Sequence, residues 1–265
     1  MVKNLKSIFL EKKGKKIKEI FLTLIANDFK FHLGGTTSCL DLMVCLFYGN
    51  FIELSKKNRD TLILSKGHAL GGLFSVLIDK NLIKMDRLKK LRNEYLLGNQ
   101  LDVFNLKRYV DWNTGSLGHS LGVSIGLAMS KPNKKIWNIV GDGELDEGSI
   151  WEALHFIADK KIKNINIIID RNRISASSKI ENKVFFTKNI FSKLGIHTQT
   201  INGHNYSQIL NALYNTKKNT MSSIIVANTI KGKGLGFLEN NLKYSHHLPH
   251  KDIIKSLQKK FSEHE

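Results

Sequence analysis

The stretch IVGDGELDEGSIWEALHFIADKKIKNINIIIDRNRIS, from Ile139 to Ser175, decides the fold. A short apolar run ends in Gly141-Asp142-Gly143, residues 149–160 read as a helix, and a second apolar run over 164–170 is followed, after Arg171, by Asn172. Neither apolar run alternates with polar residues, which marks strands buried on both faces, as in a parallel sheet. The same pattern continues outward. KIWNIV (135–140), GIHTQTI (195–201) and SSIIVAN (222–228) read as strands, and a further strand precedes SKGH. FFTKNIFSKL (185–194), NYSQILNALYNTK (205–217) and the tail HKDIIKSLQKKF read as helices. Upstream, apolar spacing predicts helices near 5–27, 38–48, 69–79, 84–97 and 119–130. The expected fold is α/β, a parallel sheet flanked by helices on both faces, built as a single domain over residues 1–265 with no linker or repeat.

Composition narrows the function classes. No window approaches the roughly 20 apolar residues of a membrane span, and the basic N-terminus reads as an amphipathic helix without a cleavage site. Two cysteines, Cys39 and Cys45, fall six apart in one helical segment, poorly placed for a bridge, so a reduced, cytoplasmic chain is expected. The formal charge of +18 is spread along the chain, with a denser run at Lys12, Lys13, Lys15, Lys16 and Lys18. It lacks the basic stripe with interleaved aromatics of a nucleic-acid binder, so no specific nucleic-acid partner is expected. A basic surface also suits phosphorylated metabolites or an acidic partner chain.

In a parallel α/β sheet, ligands sit beyond the carboxyl ends of the strands. That places 141–148, 172–178 and 228–236 on one functional rim. Glycines at 141 and 143 let backbone amides approach a phosphate at a helix N-terminus. Asp142 in the same loop would repel that phosphate unless a divalent cation lay between them. Mg2+ takes a few protein oxygens and completes its shell with phosphate and water. Asn172, at the end of the next strand, offers a neutral oxygen, and the Ile174 carbonyl completes the set. His68, after a strand and beside a glycine that opens a helix, is also placed for a phosphate.

Gly141-Asp142-Gly143, the 28 residues between Gly143 and Asn172, and the words around them resemble the thiamine diphosphate motif of the transketolase family. LSKGHAL (64–70), TGSLGHSLGVSIGLAM (114–129) and TIKGKGLGFLENN (229–241) are similar to successive family signatures, in family order. The resemblance implies a thiamine diphosphate-binding fold in which Asp142, Asn172 and the Ile174 carbonyl hold Mg2+. Gly143 and His68 lie against the diphosphate, Gly115 and Leu117 meet the aminopyrimidine and linker, and Glu147 sits at a contact coupling two subunits. The cofactor carries the chemistry of ketose cleavage, and histidines shuttle protons and hold sugar hydroxyls. His32, His68 and His246 are the implied set, with His247 as the alternative to His246; His119 stands where the family has Gln. His155 is expected to pack on the sheet, and His197, His204, His250 and His264 to lie on the surface.

The chain departs from the family in two places. His32 is followed by Leu33 instead of proline, and residues 98–118 contain no histidine where the family has Gly-His-Pro. An altered sugar substrate is implied. The chain also ends after the first domain of the family pattern. The pyrimidine-binding domain, with the glutamate that activates the cofactor, would then come from a separate C-terminal transketolase subunit, in a heterotetramer of two plus two chains. The alternatives are a 1-deoxyxylulose phosphate synthase-like or 2-oxo acid dehydrogenase-like subunit, and a non-catalytic cofactor-binding scaffold. SKGH and KGKG…ENN weigh against the dehydrogenase, and chain length weighs against the synthase.

Overall fold

Five strands, β1 (Thr61–Leu64), β2 (Ile136–Gly141), β3 (Ile165–Arg171), β4 (His197–Asn202) and β5 (Ser223–Asn228), pair in parallel in the order β1-β2-β3-β5-β4. The computed structural model describes residues 2–53, 59–94, 109, 111–112, 114–175, 178–180, 190–244 and 247–262. Around the sheet run α1 (Val2–Ala26), α2 (Leu33–Tyr48), α3 (Leu70–Asp79), α4 (Met85–Glu94), α5 (Ser120–Ser130), α6 (Gly148–Asp159), α7 (Ile190–Lys193), α8 (Tyr206–Lys218) and α9 (Lys251–Ser262).

Strand side chains alternate between two layers, and each layer closes its own core. Trp137, Ile139, Ile168 and Ile225 point to the face covered by α1, α2, α3 and α8. Val140, Ile165, Ile167, Ile169 and Val226 point to the face covered by α5 and α6. The expected parallel sheet with helices on both sides is therefore present. Leu10, Ile17, Phe21 and Leu24 make a fully buried stripe along α1, the spacing of one helix face. A buried Asn138 on β2 donates to Ser120 Oγ at 3.1 Å and Ser124 Oγ at 2.8 Å, pinning the first turns of α5 to the sheet.

Some boundaries differ from the sequence reading for physical reasons. α2 starts at Leu33 rather than 38 and takes Gly34 and Gly35 into its first turn. A Cβ on Gly35 would come within 2.4 Å of His68 Cδ2, so this glycine allows the helix end to lie against that ring. β4 starts at His197 and is only partly covered, at one edge of the sheet. Of the helix expected over 185–194, residues 190–193 are helical and 185–189 lie outside the described residues; residues 95–97 of the fourth expected helix also lie outside. Cys39 and Cys45 are buried and free. The lysine run divides: Lys13 pairs with Asp79 at 2.8 Å, Lys16 with Glu19 at 3.0 Å and Lys18 with Asp41 at 3.4 Å, while Lys12 and Lys15 face solvent. Among the described residues no helix is long and apolar enough to cross a membrane.

Candidate functional site

The carboxyl ends of β1, β2, β3 and β5 open on one cavity of about 400 Å³. Eight of the sequence-predicted site residues line it: His32, His68, Leu117, Asp142, Gly143, Glu147, Asn172 and Ile174. Gly115 is exposed on the same turn as Leu117 but does not line the cavity. His246 lies outside the described residues, and His247 is exposed. His32 and His68 meet edge to face, with ring centroids 5.7 Å apart.

Each wall has a local cause. Thr114 Oγ1 donates to the Leu64 carbonyl at 2.8 Å, and Gly118, at φ +82°, donates its amide to Glu144 Oε2 at 3.1 Å. Glu144 also accepts from Ser65 Oγ at 2.5 Å and from the Gly141 amide at 2.9 Å. One buried carboxylate thereby ties together the ends of β1 and β2 and the TGSLG turn. Arg173 takes a left-handed conformation, φ +62°, between Asn172 and Ile174, and Ile174 then bridges antiparallel to Lys179. A non-glycine residue in that region stores strain that its surroundings must hold. Here the Arg173 amide donates to Asp142 Oδ2 at 2.6 Å.

Beneath the cavity is an ion pair that the sequence reading missed. Lys66 and Asp170 are in contact and almost fully buried. Lys66 Nζ also donates to the Gly35 carbonyl at 3.0 Å and to Ser38 Oγ at 3.1 Å. Asp170 accepts from Lys66, Thr229, Ser38 at 2.5 Å and Asn172 Nδ2 at 3.3 Å. Burial pushes the Asp170 carboxyl up, but Lys66 and these donors outweigh it and hold it below the usual range. Asn172 Nδ2 donates to Asp170, which leaves its Oδ1 on the other side, where it accepts from the Ile174 amide at 3.1 Å.

These residues fit a magnesium diphosphate. Asp142 is 2% exposed, and burial, followed by the charge of Asp170, pushes its carboxyl up to about 6. A carboxylate so placed gains strongly from a cation. Carboxylate, amide oxygen and backbone carbonyl are hard donors of the kind Mg2+ takes. Among the described residues no cluster of three His, Cys, Asp or Glu forms a metal cage, so a cation held here would draw its remaining ligands from phosphate and water. Gly143 has no positive φ, and a Cβ there would meet nothing nearer than Ser175 Cβ at 3.7 Å. The chain itself does not require glycine at 143, whereas a ligand lying against the backbone would. Lys231, also missed, donates to the Ile174 and Ser175 carbonyls at 3.2 and 3.1 Å; burial, then Lys66, pulls its ammonium down to about 8.

Three histidines are corrected. His155 is exposed rather than packed on the sheet, because Ile150, Ala153, Leu154 and Ile157 set the inward face of α6. His197 is half-buried on the outer strand. His204 is not on the surface: its side chain is 9% exposed and bonded at both ring nitrogens. Of the others, His119 and His250 are exposed, and His264 lies outside the described residues.

Residues 32–264 match the family model described as transketolase, thiamine diphosphate binding domain. The chain is 30% identical over 263 residues to an apulose-4-phosphate transketolase subunit of Actinobacillus succinogenes, covering 92% of this chain and 93% of that one. It is 31% identical over 251 residues to the 6-deoxy-6-sulfo-D-fructose transketolase subunit SqwG of a Clostridium species, covering 89% and 90%. Among solved structures, transketolase from Campylobacter jejuni superposes with a TM-score of 0.83 at 27% identity, covering 96% of this chain and 42% of that one. The chain therefore spans less than half of that longer transketolase while matching the two subunits nearly end to end. With the strand order, the rim cavity and the match over residues 32–264 in agreement, the chain belongs to the transketolase family and carries its thiamine diphosphate-binding domain.

Proposed function

We propose that this chain is the N-terminal, diphosphate-binding subunit of a two-chain transketolase-like enzyme. That enzyme moves a two-carbon ketol unit from a ketose or ketose phosphate to an aldehyde, using thiamine diphosphate and Mg2+. The carrying observation is that Asp142, Asn172, Ile174 and Gly143, from the ends of two adjacent strands, line one cavity. In this reading Asp142, Asn172 Oδ1 and the Ile174 carbonyl hold the cation. Gly143 and His68 lie against the diphosphate, and Gly115 and Leu117 meet the aminopyrimidine and linker. Thiamine diphosphate supplies the carbon nucleophile and stores the electron pair of the cleaved bond. His32, His68 and His246 move protons and hold sugar hydroxyls, which suits a group that titrates near neutral pH. Asp170 keeps the Asn172 oxygen turned to its task.

A partner chain supplies the rest of the site in this reading. Support comes from the relatives, named as subunits and of nearly equal length. The outer face of α5 adds to it: a Cβ added at Gly122 or Gly126 would meet nothing within 4 Å, Met129 is 61% exposed, and SLGVSIGLAMS carries no charge. Glu147, half-buried at the cavity's edge, is assigned to the subunit contact. The assembly is read as two plus two chains in the cytoplasm.

The test is calorimetry of the chain, alone and with its partner, against thiamine diphosphate in Mg2+ buffer. Uptake that Asp142→Ala abolishes is expected; uptake unchanged by that substitution overturns the site. A donor panel then separates the reaction types, since ketose cleavage with two-carbon transfer supports the reading and pyruvate decarboxylation removes it.

A further inference from the structure

Asp41, on α2, is 3% exposed, and both its oxygens are engaged by other elements. Oδ1 accepts from the Tyr206 hydroxyl at 2.7 Å and faces the Lys18 ammonium of α1 at 3.4 Å. Oδ2 lies 2.8 Å from His204 Nδ1, and the other ring nitrogen, Nε2, accepts the backbone N–H of Ile230 at 2.8 Å. A backbone amide only donates, so Nε2 carries no hydrogen and the ring hydrogen sits on Nδ1, directed at Asp41. Burial pushes the Asp41 carboxyl up, yet Lys18, His204 and Tyr206 together hold it below the usual range. A charged acceptor thus fixes the tautomer in which Nε2 can receive Ile230.

The surroundings are shaped for this pair. Gly14 lies inside the long helix α1, where glycine costs helix propensity, and a Cβ there would lie 1.8 Å from the Tyr206 hydroxyl. A Cβ on Gly203, next to His204, would lie 2.4 Å from Thr229 Cγ2. Both glycines bring the 203–206 turn onto its neighbours. What the imidazole holds is the start of the segment that reaches the cavity. Thr229 is bonded through its amide to the Arg171 carbonyl at 3.0 Å, and Gly232 through its amide to the Gly34 carbonyl at 3.1 Å. Between those anchors, Ile230 is held by His204, and the next residue is Lys231, which lines the cavity and donates its ammonium to the Ile174 and Ser175 carbonyls.

We propose that Asp41 and His204 form a positioning pair that holds Ile230, and with it the Lys231 ammonium, against the candidate diphosphate site. The contact stands on geometry alone; its consequence for ligand affinity rests on the cofactor reading above. Two variants of the full chain separate the roles. In His204→Gln the side-chain amide can donate to Asp41 and its oxygen accept from Ile230, whereas His204→Phe fills similar space and makes neither bond.

Amide hydrogen exchange without ligand is the first readout. His204→Phe is expected to speed exchange in peptides covering 229–241 about tenfold, with β2 and β3 peptides unchanged and His204→Gln restoring most of the protection. Unchanged exchange in His204→Phe, or His204→Gln as open as His204→Phe, overturns the proposal. Calorimetry with thiamine diphosphate and Mg2+ is the second readout, where His204→Phe is expected to weaken binding about tenfold and His204→Gln to stay near the parent. If the parent chain takes up no thiamine diphosphate, the cofactor reading falls and hydrogen exchange alone judges the pair. Should His204→Phe loosen the whole chain, Asp41→Asn carries the test. Lys18 keeps the amide oxygen on its side, the NH2 group faces His204, and the ring hydrogen moves to Nε2. The 15N resonances of His204 report that move, and an unchanged tautomer overturns the proposal.

Discussion

The two faces of the sheet are built to different ends. On one, α1 turns Leu10, Ile17 and Phe21 inward and lysines such as Lys12 and Lys15 outward, and the layer beneath encloses the polar Asp41–His204 cluster. On the other, α5 and α6 cover the sheet, but the outward side of α5 offers Gly122, Gly126 and Met129 to solvent. A charged exterior over a closed core addresses water. An uncharged helix face with open glycines is shaped for close approach of another protein surface. The first exterior is lysine-rich beyond the exposed Leu5, Ile8 and Phe9 at the start of α1, and on the two-chain reading proposed above the second meets a partner.

The largest expected effect lies at the root of the closed face. Lys66→Ala strips the countercharge from Asp170 and leaves the buried carboxylate with neutral donors only, which should destabilise the chain by about 3–5 kcal/mol in urea or guanidinium unfolding. A loss below 1 kcal/mol would mean that Asp170 does not organise this layer. Next is the pH dependence at Asp142. Its folded carboxyl titrates at about 6 against 3.8 ordinarily, so the folded chain binds the proton more readily and loses stability as pH rises from about 4 through 6. Bound Mg2+ with pyrophosphate opposes the charge that remains above 6. The rise in melting temperature on adding them should be larger at pH 8 than at pH 5; equal rises would refute the assignment.

The contrast between the exteriors is read by a smaller pair of changes. Gly126→Lys should weaken assembly with the partner about tenfold, near 1.4 kcal/mol, in sedimentation or light scattering, while the isolated chain keeps its fold. Lys15→Ala on α1 should leave both stability and assembly within about 0.5 kcal/mol of the parent. Equal effects of the two substitutions would erase the distinction between the faces.

The strands and the rim were legible because both are local in sequence. Apolar runs name their own burial, and Asp142 and Asn172 each close such a run. Lys66 and Asp170 escaped the reading because their pairing joins positions 104 residues apart, and a charge at the end of an apolar run passes for the start of a loop. A buried charge needs a partner, so Asp170 directly after Ile167, Ile168 and Ile169 was the available signal. His204 sits in the polar run Asn202–Asn205 and reads as exposed, but its partner Asp41 is 163 residues away. His155 misled in the opposite direction: its neighbours are apolar, yet helix phase turns it out with Phe156.

The strand order has a consequence during synthesis. β4 leaves the ribosome before β5, yet β5 is its neighbour in the sheet, inserted between β3 and β4. Until residues 223–228 emerge, β4 has no ladder to join. Its sequence, HTQTIN, tolerates the wait: only one side chain in six is aliphatic, so little sticky surface is presented to other nascent chains while the sheet remains open.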